Sequence, residues 1–373
     1  MKKGITFVIA CMALCVFSFV TVQAQQTSSI RIGSLNRSYT LYTPKSYSPG
    51  KKMPLVYLLH GFTQTAADIM RYSAFNGLAD SFGFFAVYPS GVNNGWNTNS
   101  GFPGGSTADD VGFIRILSDS LIARFGIDAD RIYSCGFSAG GFMSQRLACE
   151  LSNRIAAIAS VAGTMSDAAF KACNPGRAVP MLHIHGTSDL VVTYNGGISN
   201  ISADKLVQFW VNKAACNATA TKINIPDRVQ EGSTAQWQRF GPCNQSLEMA
   251  HIAVNNGGHT WPGSSNSGVG TTNMDFSASA EIWEFFNRFN LQGGMTGVTA
   301  LDTHEHTLFW AEGQLRTKNT ASAVELTLHD LTGRCVFQGQ VEEFSAAGIQ
   351  RPQLFVYRIK GPGGIQSEKI LID

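Results

Sequence analysis

Apolar runs of four to seven residues recur along the first three quarters of the chain, each bounded by glycine, proline or polar residues. The clearest are Leu55–Leu59, Phe84–Tyr88, Arg131–Cys135, Ile155–Val161, Met181–Ile184 and Met249–Val254. Runs this short and this continuous predict strands buried on both faces. Between several of them the apolar spacing changes to three and four. Val111, Ile114, Leu117 and Leu121 mark one helix, closed by Gly126, and Ile282, Trp283, Phe285, Phe286 and Phe289 mark a last amphipathic one. Strands alternating with helices predict an α/β fold, a mostly parallel sheet covered by helices on both faces.

After Leu291 the texture changes. Residues 292–300 include Gln292-Gly293-Gly294-Met295-Thr296-Gly297, which reads as a linker, and residues 301–373 then alternate with a period of two. Val324, Leu326 and Leu328 alternate with Glu325, Thr327 and His329, and Asp330-Leu331-Thr332-Gly333-Arg334 supplies a turn before Cys335-Val336-Phe337. Leu354–Tyr357 and Lys369–Ile372 are further strands, so a small C-terminal all-β sandwich is expected. The N-terminus has its own pattern. Lys2-Lys3, an apolar core from Ile5 to Val20 and Val22-Gln23-Ala24 before Gln25 read as a cleaved signal peptide over residues 1–24. Its apolar run is short for a membrane span. A lipoprotein reading through Val8-Ile9-Ala10-Cys11 would leave a very short hydrophobic core.

Candidate chemistry lies where the strands end. Arg131–Cys135 runs into Gly136-Phe137-Ser138-Ala139-Gly140-Gly141, and a helix-like stretch follows from Phe142 to Leu151. A serine at the apex of such a turn has strained backbone angles and needs small neighbours two positions away, which Gly136 and Gly140 provide. With 38 glycines in 373 residues, the Gly-x-Ser-x-Gly pattern alone would arise by chance in roughly one such chain in three. Its strand–turn–helix setting gives it weight. Downstream, the strand ending His183-Ile184-His185-Gly186 leads to Thr187-Ser188-Asp189. The run His251–Val254 leads to the glycine-bracketed loop Asn255-Asn256-Gly257-Gly258-His259-Thr260-Trp261-Pro262-Gly263.

Ser, Asp, His is the chain order of α/β-hydrolases. In that chemistry His259 takes the Ser138 proton and returns it to the leaving alcohol, while Asp189 fixes the imidazole tautomer. The competing residues fit other roles. His183, His185 and His251 sit in strand bodies and read as core histidines, as does His329, and His304 and His306 lie in another segment. Asp167, Asp204 and Asp227 do not directly follow a buried strand. Asp109 and Asp110 open a helix, where carboxylates cap free N–H groups. The oxyanion hole needs two backbone donors. Ala139 N–H is one, and Phe62 N–H, after the strand Pro54–Leu59 and His60-Gly61, is the other.

Residues from about Ser28 to Asn290 resemble the secreted α/β-hydrolase esterase family that joins feruloyl esterases, acetylxylan esterases and polyhydroxybutyrate depolymerase-like proteins. Six ordered pieces carry the resemblance: Leu59–Ala66, Tyr88-Pro89-Ser90-Gly91 with Trp96-Asn97, Asp110–Ile114, Gly136–Gly141, His185–Asp189 and Gly258–Gly263. It implies an α/β-hydrolase domain over residues 25–291 with Ser138, Asp189 and His259 as the triad, and it leaves the substrate open. Feruloyl or acetyl groups on plant cell-wall polysaccharide are the expected esters. A polyhydroxybutyrate-type polyester is the alternative, and a catalytically silent binding protein on the same fold is the rival from another class. The C-terminal segment resembles the sorting domain of the type IX secretion system of Bacteroidetes, through the D-x-x-G-R turn and the final Lys-Ile-Leu-Ile strand. The glycine usual before the last aromatic strand is absent. The resemblance implies the secretion machinery as a partner; a polymer-binding module is the competing reading.

The loop from Gly91 to Gly105 holds Asn93, Asn94, Trp96, Asn97, Asn99 and Phe102, and long loops at strand ends shape binding clefts. Trp96 is a candidate for stacking on a sugar or phenolic ring, and Trp261 raises the same question; both also fit a packing role. Hydrophobic residues at 44% against 14% charged describe a globular protein. The formal charge of +2 falls to zero without Lys2 and Lys3, so nothing steers toward nucleic acid or an anionic membrane. No cofactor is expected, and no cysteine or histidine spacing resembles a zinc site. Export permits disulfides. Outside the signal peptide six cysteines remain, which allow 15 complete pairings. The family resemblance implies Cys149–Cys173 and Cys216–Cys243, with Cys135 a buried thiol. The expected location is secreted or cell-surface.

Overall fold

The computed structural model describes residues 24–99, 105–265 and 268–293, together with the C-terminal segments 308–311, 314–317, 325–330, 334–340, 343–344, 353–361 and 364–372. The expected signal peptide (apart from Ala24), most of the expected linker, Phe102 and the centre of the D-x-x-G-R turn lie outside the described residues. In chain order the first part comprises β1 Gln25–Ile32, β2 Leu35–Tyr42, β3 Met53–Leu59, α1 Ala66–Ser73, α2 Phe75–Phe82, β4 Phe85–Pro89, α3 Asp110–Phe125, β5 Ile127–Phe137 and α4 Ala139–Glu150. It continues with β6 Ala157–Val161, α5 Asp167–Ala172, β7 Met181–Gly186, α6 Ala203–Lys213, β8 Thr221–Ile225, β9 Thr234–Phe240, β10 Met249–Asn255, β11 His259–Thr260, β12 Gly268–Val269 and α7 Ala278–Phe286.

Ten strands form one sheet in the order β1-β2-β4-β3-β5-β6-β7-β10-β9-β8. The six from β4 to β10 run parallel, and the outer strands on both sides pair antiparallel. The buried parallel strands are the apolar runs of the sequence. Alternate side chains enter opposite faces: Val56 and Leu58 of β3 pack with Ile69, Leu78, Ile282 and Phe286 from α1, α2 and α7. Leu55, Tyr57 and Leu59 face the other way, onto Phe113, Leu117, Leu147 and Trp210 from α3, α4 and α6. This period-two sorting makes one sheet serve two cores. The last helix is clamped by a stacked Tyr133–Phe286 pair at 4.9 Å and a Phe84–Trp283 pair at 4.0 Å.

The disulfides Cys149–Cys173 and Cys216–Cys243 are both formed, and Cys135 is a buried free thiol. The first ties α4 to the segment before β7, and the second ties the end of α6 to the approach to β10. Both cross-links therefore lie one element upstream of the loops that carry Asp189 and His259.

The C-terminal segment contributes β13 Leu308–Ala311, β14 Gln314–Thr317, β15 Glu325–Asp330, β16 Cys335–Gln340, β17 Gln353–Gly361 and β18 Gly364–Ile372. They form two antiparallel sheets, one of two strands and one of four in the order β16-β15-β17-β18. In β15, Leu326 and Leu328 are buried, as the alternation predicts.

Candidate active site

Ser138, Asp189 and the oxyanion candidate Phe62 all follow the C-terminal ends of parallel strands (β5, β7 and β3), and His259 follows β10. That edge is where open α/β sheets hold their sites. Ser138 has φ 53° and ψ −120°, a strained conformation for a non-glycine residue that costs on the order of 1–3 kcal/mol. Its neighbours explain how the turn is tolerated. A Cβ on Gly136 would lie 2.3 Å from the Gly140 carbonyl carbon, and one on Gly140 would lie 2.0 Å from Leu59 O. The start of α4 therefore presses against the end of β3 backbone to backbone. This brings Ala139 N–H and the Phe62 loop to the same edge as the serine hydroxyl. Ser138 is half-buried.

His259 Nδ1 lies 2.7 Å from Asp189 Oδ2. A carboxylate only accepts, so Nδ1 donates; the neutral imidazole in that tautomer has its lone pair on Nε2, the atom a hydroxyl proton needs. The His259 ring packs on Phe137, the residue before the serine, at 4.9 Å between centroids. The β11–β12 pairing, with His259 opposite Val269, holds the histidine backbone. Asp189 is buried, and Oδ1 accepts the Val191 and Val192 amides at 2.8 Å each. Burial would push its carboxyl up, but hydrogen bonds from His185 and His259 and their charge hold it well below the usual carboxylate range.

The loop after β3 is braced from several sides. Gly61 N–H donates to Gln64 Oε1 at 2.9 Å, and Thr63 takes φ 63°. His60 is buried; its Nε2 accepts from Gly91 N–H at 3.0 Å, and its carbonyl accepts from Trp96 Nε1 at 2.8 Å. Trp96 is 2% exposed and packs on the His60 ring. Trp261 is equally buried and donates Nε1–H to Ser279 Oγ at 3.0 Å. Both indoles are spent on packing and internal hydrogen bonds, so their expected place in the substrate-binding surface is corrected. Trp96 instead pins the 91–97 loop to His60, just past the end of β3 and two residues before Phe62.

The two acids at the start of α3 divide their roles. Asp109 caps the helix by accepting Gly112 N–H at 2.8 Å. Asp110 is fully buried, pairs with Arg37 at 2.6 Å and accepts Asn97 N–H at 2.6 Å. It is thus a buried ion-pair partner that anchors the same loop, and not the second helix cap that its sequence position predicts. Sequence reasoning also missed His185, read there as a core residue: it contacts Asp189. The signal was its place four residues before the acid, at the end of the same strand. Among the described residues no group of three or more histidine, cysteine or acidic side chains is placed to hold a metal ion.

The family model described as Esterase PHB depolymerase matches residues 37–208. That segment is similar to this esterase family. The matched segment runs from within β2 past β7 and includes the serine turn and Asp189; His259 lies beyond it. The bifunctional acetylxylan esterase/xylanase XynS20E of Neocallimastix patriciarum is 28% identical over 260 residues, 69% of this chain and 34% of that one. The putative esterase NocK of Nocardia uniformis subsp. tsuyamanensis is 28% identical over 278 residues, 68% of this chain and 80% of that one. Feruloyl esterase D of Neurospora crassa is 27% identical over 285 residues, covering 72% and 88%. The chain therefore spans about a third of the bifunctional relative and most of the other two. Among solved structures, acetyl xylan esterase from Aspergillus awamori aligns with a TM-score of 0.49 and 16% identity, covering 63% of this chain and 94% of that one.

Proposed function

We propose that the chain is an exported serine carboxylic-ester hydrolase that works through an acyl-enzyme on Ser138. The observation that carries the reading is the buried Asp189–His259 pair at 2.7 Å, whose imidazole rests on the residue next to the strained serine. Ser138 Oγ attacks the ester carbonyl as its proton passes to His259 Nε2. Phe62 and Ala139 N–H groups hold the developing oxyanion. The C–O bond to the alcohol then breaks, and His259 returns the proton to the leaving oxygen. Water, deprotonated by His259, attacks the acyl carbon and releases the acid, which restores Ser138.

Feruloyl or acetyl groups on cell-wall polysaccharide are the proposed esters; the names of the relatives support this. A second reading, a polyester of hydroxyalkanoate type, is favoured by one feature of the site edge. Leu190, Val191 and Val269 are 87, 56 and 63% exposed, next to Asp189 or paired with His259, and would suit an apolar chain. Hydrolysis of methyl ferulate and acetylated xylan separates the two from polyhydroxybutyrate granules; turnover of granules alone would overturn the polysaccharide assignment. Two disulfides suit an oxidising compartment. We assign residues 1–24 to export and residues 301–373 to sorting. Normal export and retention of a chain truncated after Gly294 would refute the sorting role.

A further inference from the structure

Behind Asp189 lies an imidazole that the proposed triad does not use. His185 Nε2 is 2.8 Å from Val192 O and 3.2 Å from Asp189 Oδ2. Both atoms are acceptors, so Nε2 must carry a proton and share it between them. The other ring nitrogen, Nδ1, lies 3.1 Å from His183 Nε2, and the Tyr194 ring packs edge-on at 5.6 Å. His185 is itself 1% exposed, so water does not compete for these bonds. The Asp189 carboxylate is consequently held on four sides. Oδ1 takes the amides of Val191 and Val192, and Oδ2 takes His259 and His185. Rotation of the carboxylate would break at least two of these bonds, in a site where an unmade hydrogen bond is costly.

We infer that His185 is a positioning residue: its Nε2–H, shared between Asp189 Oδ2 and Val192 O, fixes the carboxylate and its turn in the orientation that His259 needs. This rests on the reading of Ser138, Asp189 and His259 as the catalytic triad. The chemistry requires a donor at the Nε2 position and makes no use of the aromatic ring itself. A glutamine amide nitrogen falls near the imidazole Nε2 position, an asparagine amide near Nδ1, and phenylalanine fills the space with no donor.

The test compares His185→Gln, His185→Asn and His185→Phe in the full-length protein, with kcat and KM measured on p-nitrophenyl acetate and folding followed by thermal unfolding. One hydrogen bond to a charged group corresponds to a rate loss of about ten- to a hundredfold. That loss is expected in kcat for Phe and Asn, with KM within about twofold, while Gln stays within about threefold of the unsubstituted enzyme. Should the Phe variant not fold, the Gln and Asn pair carries the comparison. Unchanged kcat in Phe or Asn, a Gln variant as slow as Asn, or a loss seen only in KM would overturn the inference. Ser138→Ala run beside them separates the two levels: if it keeps its activity, the triad reading fails, whereas a dead Ser138→Ala with unaffected His185 variants refutes the positioning role alone.

Discussion

Mild acid should loosen this fold before its carboxylates titrate, because of two imidazoles sealed under the site. His251 is 1% exposed, donates Nδ1–H to His183 O at 3.1 Å, and stacks on the His183 ring at 5.2 Å. Its Nε2 lies 2.9 Å from the Tyr194 hydroxyl. Burial, opposed by the His183 carbonyl and reinforced by His185, holds its imidazole down at about 4. An unfolded histidine titrates near 6.5, so between those values the unfolded chain binds the extra proton. The sign follows: stability is full at neutral pH and falls as pH drops below about 6.5. From pH 7 to pH 5 a shift from about 6.5 to about 4 costs about 2 kcal/mol. His183, also driven well below its ordinary value by burial, contributes with the same sign. Buried Asp110 acts oppositely, since burial raises its carboxyl, but only where carboxylates begin to protonate. In a domain of this size about 2 kcal/mol lowers Tm by roughly 4–8 °C. Thermal unfolding at pH 7 and pH 5 measures it. His251→Asn keeps a donor for His183 O and removes the titration, so its pH dependence should be visibly shallower. Equal Tm at both pH values, or the same slope in the variant, would exclude the buried imidazoles as the source of acid sensitivity.

Three further outcomes are expected. Asp189→Asn should lower kcat by about 10⁴-fold with a small change in KM, since the amide no longer enforces the Nδ1–H tautomer of His259; a loss under tenfold in steady-state assays would count against it. Reduction of Cys149–Cys173 or Cys216–Cys243, which close loops of 24 and 27 residues, should cost about 3.5 kcal/mol each in denaturant titrations; unaltered midpoints would contradict this. Asp110→Asn strands Arg37 as a buried uncompensated cation and should cost about 3–5 kcal/mol, read from urea unfolding.

The parallel sheet was legible because burial on both faces writes continuous apolar runs, and the serine turn because its geometry demands glycines at fixed positions. The antiparallel flanks were not. Thr221–Ile225 of β8 is exposed at four of its five residues, so no buried face imposes a period. Gln25–Ile32 of β1 has only partly buried alternate positions. The indole of Trp96 could not be placed from a glycine- and asparagine-rich loop, because its partner is a carbonyl 36 residues away. Asp110 misled for the same reason: helix starts favour acids locally, and Arg37, 73 residues upstream, outweighs that preference only after folding. His185 read as core and is core, but its ring also reaches the acid that follows it. Local pattern records which face a residue turns inward; it does not record what waits there.

If the proposed mechanism holds, Ser138 is the residue that becomes acylated. Incubation with a fluorophosphonate, followed by intact-mass measurement and peptide mapping, tests it most directly. One adduct per chain is expected, on the peptide containing Ser138, and none in Ser138→Ala. An adduct on another serine, or labelling that survives Ser138→Ala, would contradict it.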